Sequence, residues 1–129
     1  MDKIPKCVIS IILRYLSTKD CIRFRRVCKF FNESFIYNLK YLSFDLSGHH
    51  NLKDQHLKCL QDSHTVDLSE CKKITNQGLS YLQNVHSINL SFCDKITDQG
   101  LSYLQNVHSI NLSFCDKITD QGLSYLQNV

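Results

Sequence analysis

The amino-acid sequence predicts an α/β chain in two parts: a helical module over residues 1–41, then a short right-handed solenoid over 42–129 with parallel strands on one face and helices on the other. Three observations lead there. Residues 86–107 and 108–129 are the same 22 letters, HSINLSFCDKITDQGLSYLQNV. Residues 64–85 match that unit at 16 of 22 positions, and residues 42–63 retain Asp45, Leu46, Ser47, Gln55, Leu57, Leu60 and Gln61 at the equivalent places. Within a unit, a period-two alternation gives way to apolar residues three apart, which is a strand followed by a helical turn. A unit this small cannot bury its apolar face alone, so the four units 42–63, 64–85, 86–107 and 108–129 are expected to stack.

The elements follow in chain order. Pro5 stands where a helix can begin, because its missing N–H is not needed in the first turn. Ile9, Ile12, Leu13 and Leu16 then form one apolar helical face. Ser17-Thr18-Lys19-Asp20 offers caps for a second helix, whose apolar face is Phe24, Val27, Cys28 and Phe31. Forty residues cannot bury that much apolar surface among themselves, so this module requires a partner. In the repeat, Val85, Ile88 and Leu90 alternate with Ser87, Asn89 and Ser91 as a strand with one buried side. Ile96, Leu101, Leu104 and Val107 mark the helical half, with Asp98 expected as its N-cap. His49 replaces the repeat cysteine and His56 the repeat glycine, which marks residues 42–63 as a cap or junction.

Composition narrows the function. A chain of 129 residues is too short for two large cores. Hydrophobic residues at 43% and charged residues at 21% are ordinary for a folded protein. A net charge of +3, thinly spread, is a poor footprint for nucleic acid. The apolar run from Cys7 to Leu13 falls far short of the ~20 residues that cross a bilayer, and Asp2 together with the missing cleavage pattern disfavours a secretory signal. The expected location is the cytoplasm or nucleus. Seven cysteines without a CxxC pair suggest packing rather than a disulfide framework. Cys71, Cys93 and Cys115 recur once per unit; strands ~4.8 Å apart align such thiols in one direction, unlike a tetrahedral metal site, so a buried ladder is expected. His64, His86 and His108 form a second copied column. A nucleophilic cysteine needs a base and an orienting group around a cleft, and periodic columns supply neither, so no catalysis, cofactor or metal is expected. Arg23, Arg25, Arg26 and Lys29 read as a solvated helix face.

Written as V85xxI88xL90xxC93xxI96T97D98xG100L101xxL104, the unit resembles the cysteine-containing class of leucine-rich repeat, over residues 42–129. Residues 4–31, IPKCVISIILRYLSTKDCIRFRRVCKFF, resemble the F-box through Ile4, Pro5, Val8, Ile9, Ile12, Tyr15, Leu16, Asp20, Val27, Cys28, Lys29 and Phe31. Cys7 stands where an acidic residue is usual and Cys21 where leucine is usual. An F-box directly before such repeats is the arrangement of the F-box and leucine-rich repeat family. That resemblance implies a substrate receptor of a Skp-cullin-F-box ubiquitin ligase. Ile4, Pro5, Val8, Ile9, Ile12, Leu16, Cys28 and Phe31 would then bind the Skp adaptor, and the repeats would hold a target protein for ubiquitination. A Skp-binding decoy or a general repeat interaction protein is the alternative among binding proteins, and a cysteine-dependent enzyme is the alternative of another class.

Outward strand positions should line the concave face, the surface on which solenoids commonly take partners. Asp67, Asn89 and Asn111 there, with Phe92 and Phe114 just after the strand, are the expected target-binding residues, because aromatic anchors usually dominate interface energy. Stacking of the two rings on each other under the loop is the competing expectation. The identical copies point to a recent duplication, as in expanded sets of eukaryotes and of the large viruses that infect them. The repeat that stops at Val129 has no polar closing segment, so an exposed sheet edge with fraying, self-association or a truncated natural product is expected there.

Overall fold

In a computed structural model the described residues are 43–129, and the expected Skp-adaptor contacts, Ile4, Pro5, Val8, Ile9, Ile12, Leu16, Cys28 and Phe31, lie outside them. The alternating segments form four three-residue strands: β1 (Ser43–Asp45), β2 (Thr65–Asp67), β3 (Ser87–Asn89) and β4 (Ser109–Asn111). All neighbours pair in parallel, in the order β1-β2-β3-β4. The register joins equivalent residues of successive units, Phe44 with Val66, Val66 with Ile88 and Ile88 with Ile110. Parallel strands cannot be joined by a tight turn, and here each return path carries a helical turn. These are a 3₁₀ helix at Asp54–Leu60, then α1 (Asn76–Leu79), α2 (Asp98–Leu101) with a 3₁₀ extension at Ser102–Leu104, and α3 (Asp120–Leu123). The predicted α/β arrangement of a parallel sheet backed by helical turns is therefore the fold.

Four-residue helices have little stability of their own and depend on packing. α1 packs on the 3₁₀ helix and on α2, and α2 packs on α3. The core is built as ladders. Leu46, Leu68 and Leu90 are buried in one, Leu57, Leu79 and Leu101 in another, and Leu52, Ile74 and Ile96 in a third. Each such side chain gains about 1.5–3 kcal/mol from leaving water. The fourth unit is more open: Ile110, Leu112, Ile118, Tyr125 and Leu126 are only partly buried. Leu123 is 48% and Val129 62% exposed, against 0% and 1% for Leu101 and Val107 one unit earlier.

The helix caps differ from the expectation. Thr97, not Asp98, is the N-cap of α2, as Thr75 and Thr119 are of α1 and α3. Asp98 is the first helical residue, and its carboxylate serves the next unit instead. The divergent histidines of the first unit serve local turns: His56 Nδ1 accepts from Lys53 N at 2.9 Å, and His49 Nδ1 lies 3.1 Å from Leu46 O.

Candidate functional site

Three devices lock one unit to the next. The thiols of Cys71, Cys93 and Cys115 are buried and donate to Leu46 O, Leu68 O and Leu90 O at 3.1, 3.2 and 3.1 Å. Each cysteine thus gives a second hydrogen bond to a carbonyl of the preceding unit that already accepts a backbone N–H, from His49, Cys71 or Cys93 respectively. Burial pushes the Cys71 thiol up to about 11 and the Cys93 thiol up to about 12, and raises Cys115 as well. These groups stay protonated at neutral pH, which removes the thiolate a nucleophile requires.

The second device joins helical turns. Asp54 accepts from Thr75 N at 2.8 Å and Thr75 Oγ1 at 2.5 Å. Asn76 accepts from Thr97 N at 3.0 Å while its own Nδ2 donates to Thr97 Oγ1 at 2.8 Å. Asp98 accepts from Thr119 N and Oγ1 at 2.7 and 2.6 Å, and these bonds lower its pKa. Glycine makes room for the crossing: a Cβ at Gly78, Gly100 or Gly122 would collide with the Oδ1 of Asp54, Asn76 or Asp98. The third device is the histidine column. His64 and His86 stack at 4.6 Å, and His86 and His108 at 4.3 Å. Desolvation, followed by the charges of His108 and His64, lowers the pKa of His86.

The expected target-binding residues stand in two rows. Asp67 and Asn89 form the first with Asn111. Each accepts from the backbone N–H two residues on, at 2.9 to 3.0 Å, and Asn89 Nδ2 donates to Asp67 Oδ2 at 3.2 Å. This row shapes the strand ends as well as facing outward, a role that the alternation alone did not reveal. Phe92 and Phe114 form the second row. Their rings stack with centroids 4.4 Å apart and 10° between planes, yet remain 39% and 66% exposed. The rings therefore do stack, but in the open rather than beneath a loop.

Both phenylalanines have left-handed backbones, φ 60° and 58°, and so does Glu70 at 61°. The equivalent residue in the first unit is Gly48, at φ 67°. A side chain in that region costs roughly 1–2 kcal/mol, and glycine avoids the cost. The turn geometry thus explains the angle but not the choice of an exposed ring. Lys72 braces the row: its Nζ donates to Phe92 O at 2.8 Å, pairs with Asp94 Oδ2 at 3.0 Å and lies 5.9 Å from the Phe92 ring centroid. Glu70 and Lys72 were missed by sequence reasoning; their only signal was that Glu70 falls in register with Gly48, Phe92 and Phe114.

A stack of parallel strands and helical turns at a 22-residue period, sealed by a buried cysteine in each later unit, is a leucine-rich-repeat scaffold. A model of the Leucine Rich repeat matches residues 81–104 and 103–126, and a model of the F-box domain matches residues 1–42. An F-box domain at the amino terminus followed by leucine-rich repeats is consistent with an F-box and leucine-rich repeat protein. No curated protein matches the chain.

Proposed function

We propose that this chain is the substrate-recognition subunit of a Skp-cullin-F-box ubiquitin ligase, in which the amino-terminal module binds the Skp adaptor and the repeats hold a target protein. The observation that carries the proposal is the order of the parts: an F-box match over residues 1–42 directly precedes a repeat stack that exposes a paired aromatic surface. F-box domains generally bind Skp and, through it, cullin-RING ligases. On this reading the chain is a non-catalytic adaptor of the cytoplasm or nucleus. The buried, high-pKa thiols favour that over a cysteine-dependent enzyme, since protonated cysteines locked to carbonyls do not attack substrates.

Affinity capture with purified Skp adaptor tests the proposal, followed by reconstitution with cullin, RING subunit and ubiquitin-charged enzyme. The intact chain should be retained, and Leu16→Ala should weaken retention, because losing most of an apolar contact side chain costs about 2–5 kcal/mol where it is buried. Failure of the intact chain to bind any Skp adaptor overturns the proposal. Capture without any ubiquitin transfer from the assembled complex would leave a Skp-binding decoy in its place.

A further inference from the structure

We infer that the Phe92–Phe114 ledge and the acidic rim around it form a docking surface for a basic segment of a partner protein, one that sets Lys or Arg beside a large apolar residue. This rests on the proposed reading of the repeats as the target-holding part of the chain. The apolar half of the surface is the stacked ring pair, exposed by 39% and 66% at positions where the backbone favours glycine. An aromatic pair of this kind offers a flat apolar face, and Arg or Lys beside it gains from the ring electrons as well.

The residues at and beside the rings carry more carboxylates than cations, Asp67, Glu70, Asp94 and Asp116 against Lys72 and Lys117. Glu70 occupies the same left-handed place one unit before Phe92, and Glu70 N and Phe92 N donate to Ser91 O and Ser113 O, which keeps the row continuous. Asp67 lies three residues before Glu70; its two oxygens accept only from neutral donors, so its charge is not compensated. Asp94 and Asp116 follow the two phenylalanines. Of these cations, Lys72 is already neutralised by Asp94. Asp67, Glu70 and Asp116 have no salt bridge among the described residues. Lys73 and Lys95 instead line an open groove with Lys53, Gln77 and Tyr81 on the helical side. Over residues 43–129 nine carboxylates stand against six lysines, and four of those carboxylates, Asp67, Glu70, Asp94 and Asp116, fall at or beside the ring row. Electrostatic complementarity of this kind selects partners and speeds encounter.

Selection of random dodecapeptides displayed on phage against the immobilised full chain tests the inference, with counter-selection on Phe92→Gly/Phe114→Gly. That double variant relieves the left-handed strain as Gly48 does, so it should keep or raise the denaturation midpoint while removing the ledge. Enriched peptides are expected to place Lys or Arg next to Phe, Tyr, Trp, Leu or Ile. A synthetic copy of one should bind at least tenfold more weakly to the glycine variant by fluorescence anisotropy. Glu70→Gln/Asp116→Asn should weaken the same peptide severalfold and flatten its salt dependence. No enrichment, an acidic consensus, or unchanged binding by the glycine variant overturns the inference. Skp capture by the full chain is a readout separate from peptide binding, so the ligase reading and this one fail separately.

Discussion

Cys93 shows why a repeated residue need not be a reactive one. Its thiol sits in the core, donates to Leu68 O, and is held protonated by burial up to about 12. The linkage sign follows from a folded pKa above the ordinary value of 9.0. Between these limits the unfolded chain loses the proton and the folded chain keeps it, so stability is full below about pH 9 and declines as pH rises toward 12. At pH 8, alkylation by iodoacetamide read by peptide mass spectrometry should leave Cys71 and Cys93 unmodified in the native protein and label both in urea. Rapid native labelling of either would show that the column opens, and would revive a chemical role for it. The period of 22 was enough to place these cysteines in one column, and their burial followed from the strand pattern. The left-handed angle at Phe92 and Phe114 was not legible in the same way, because phenylalanine does not announce it; the trace was Gly48 in the same register.

At the level of the helical turn, the unit boundary is where local reading failed. Asp98 looks like a cap when its own unit is read alone, since Asp is a good N-cap. Its partners, Thr119 N and Oγ1, lie 21 residues away in sequence and one turn away in space. The same relation makes Asn76 and Gly100 a coupled pair: the Asn76 carboxamide reaches Thr97 through the space that a Cβ on residue 100 would fill. Gly100→Ala should therefore destabilise by about 1–3 kcal/mol, the usual range for overpacking a tight contact. Asn76→Ala should cost about 1–2 kcal/mol from its two bonds to Thr97. In the double variant the collision with Oδ1 disappears, so the combined loss should fall below the sum by roughly 0.5 kcal/mol or more. Urea unfolding of the four proteins measures this; strict additivity would mean that the glycine serves the backbone and not the crossing side chain.

Across the whole stack, cohesion is a sum of neighbour contacts, and each unit stands on the one before it. The central units hold their ladders fully buried, whereas Leu123 and Val129 of the fourth are largely in solvent. The bonding groups show the same asymmetry. Asp98 holds Thr119 and Leu90 O receives Cys115, but Asp120 and Leu112 O receive no corresponding bond among the described residues. Local opening should follow this order, with amides of β4 exchanging faster than those of β2 and β3 in hydrogen–deuterium exchange. Joining one further copy of residues 108–129 after Val129 should bury Leu123 and Val129 as Leu101 and Val107 are buried. It should also give Asp120 a threonine and Leu112 O a thiol, raise the denaturation midpoint and slow exchange across β4. An added copy with its threonine changed to valine and its glycine to alanine keeps the apolar ladder but removes the lock, so it should restore less of both. If that altered copy protects β4 as well as the faithful one, apolar stacking alone joins the units. If it does not, the crossing Asp–Thr bond and the glycine beneath it decide which unit can follow which, and the 22-residue period is preserved by a matched set of contacts rather than by leucines alone.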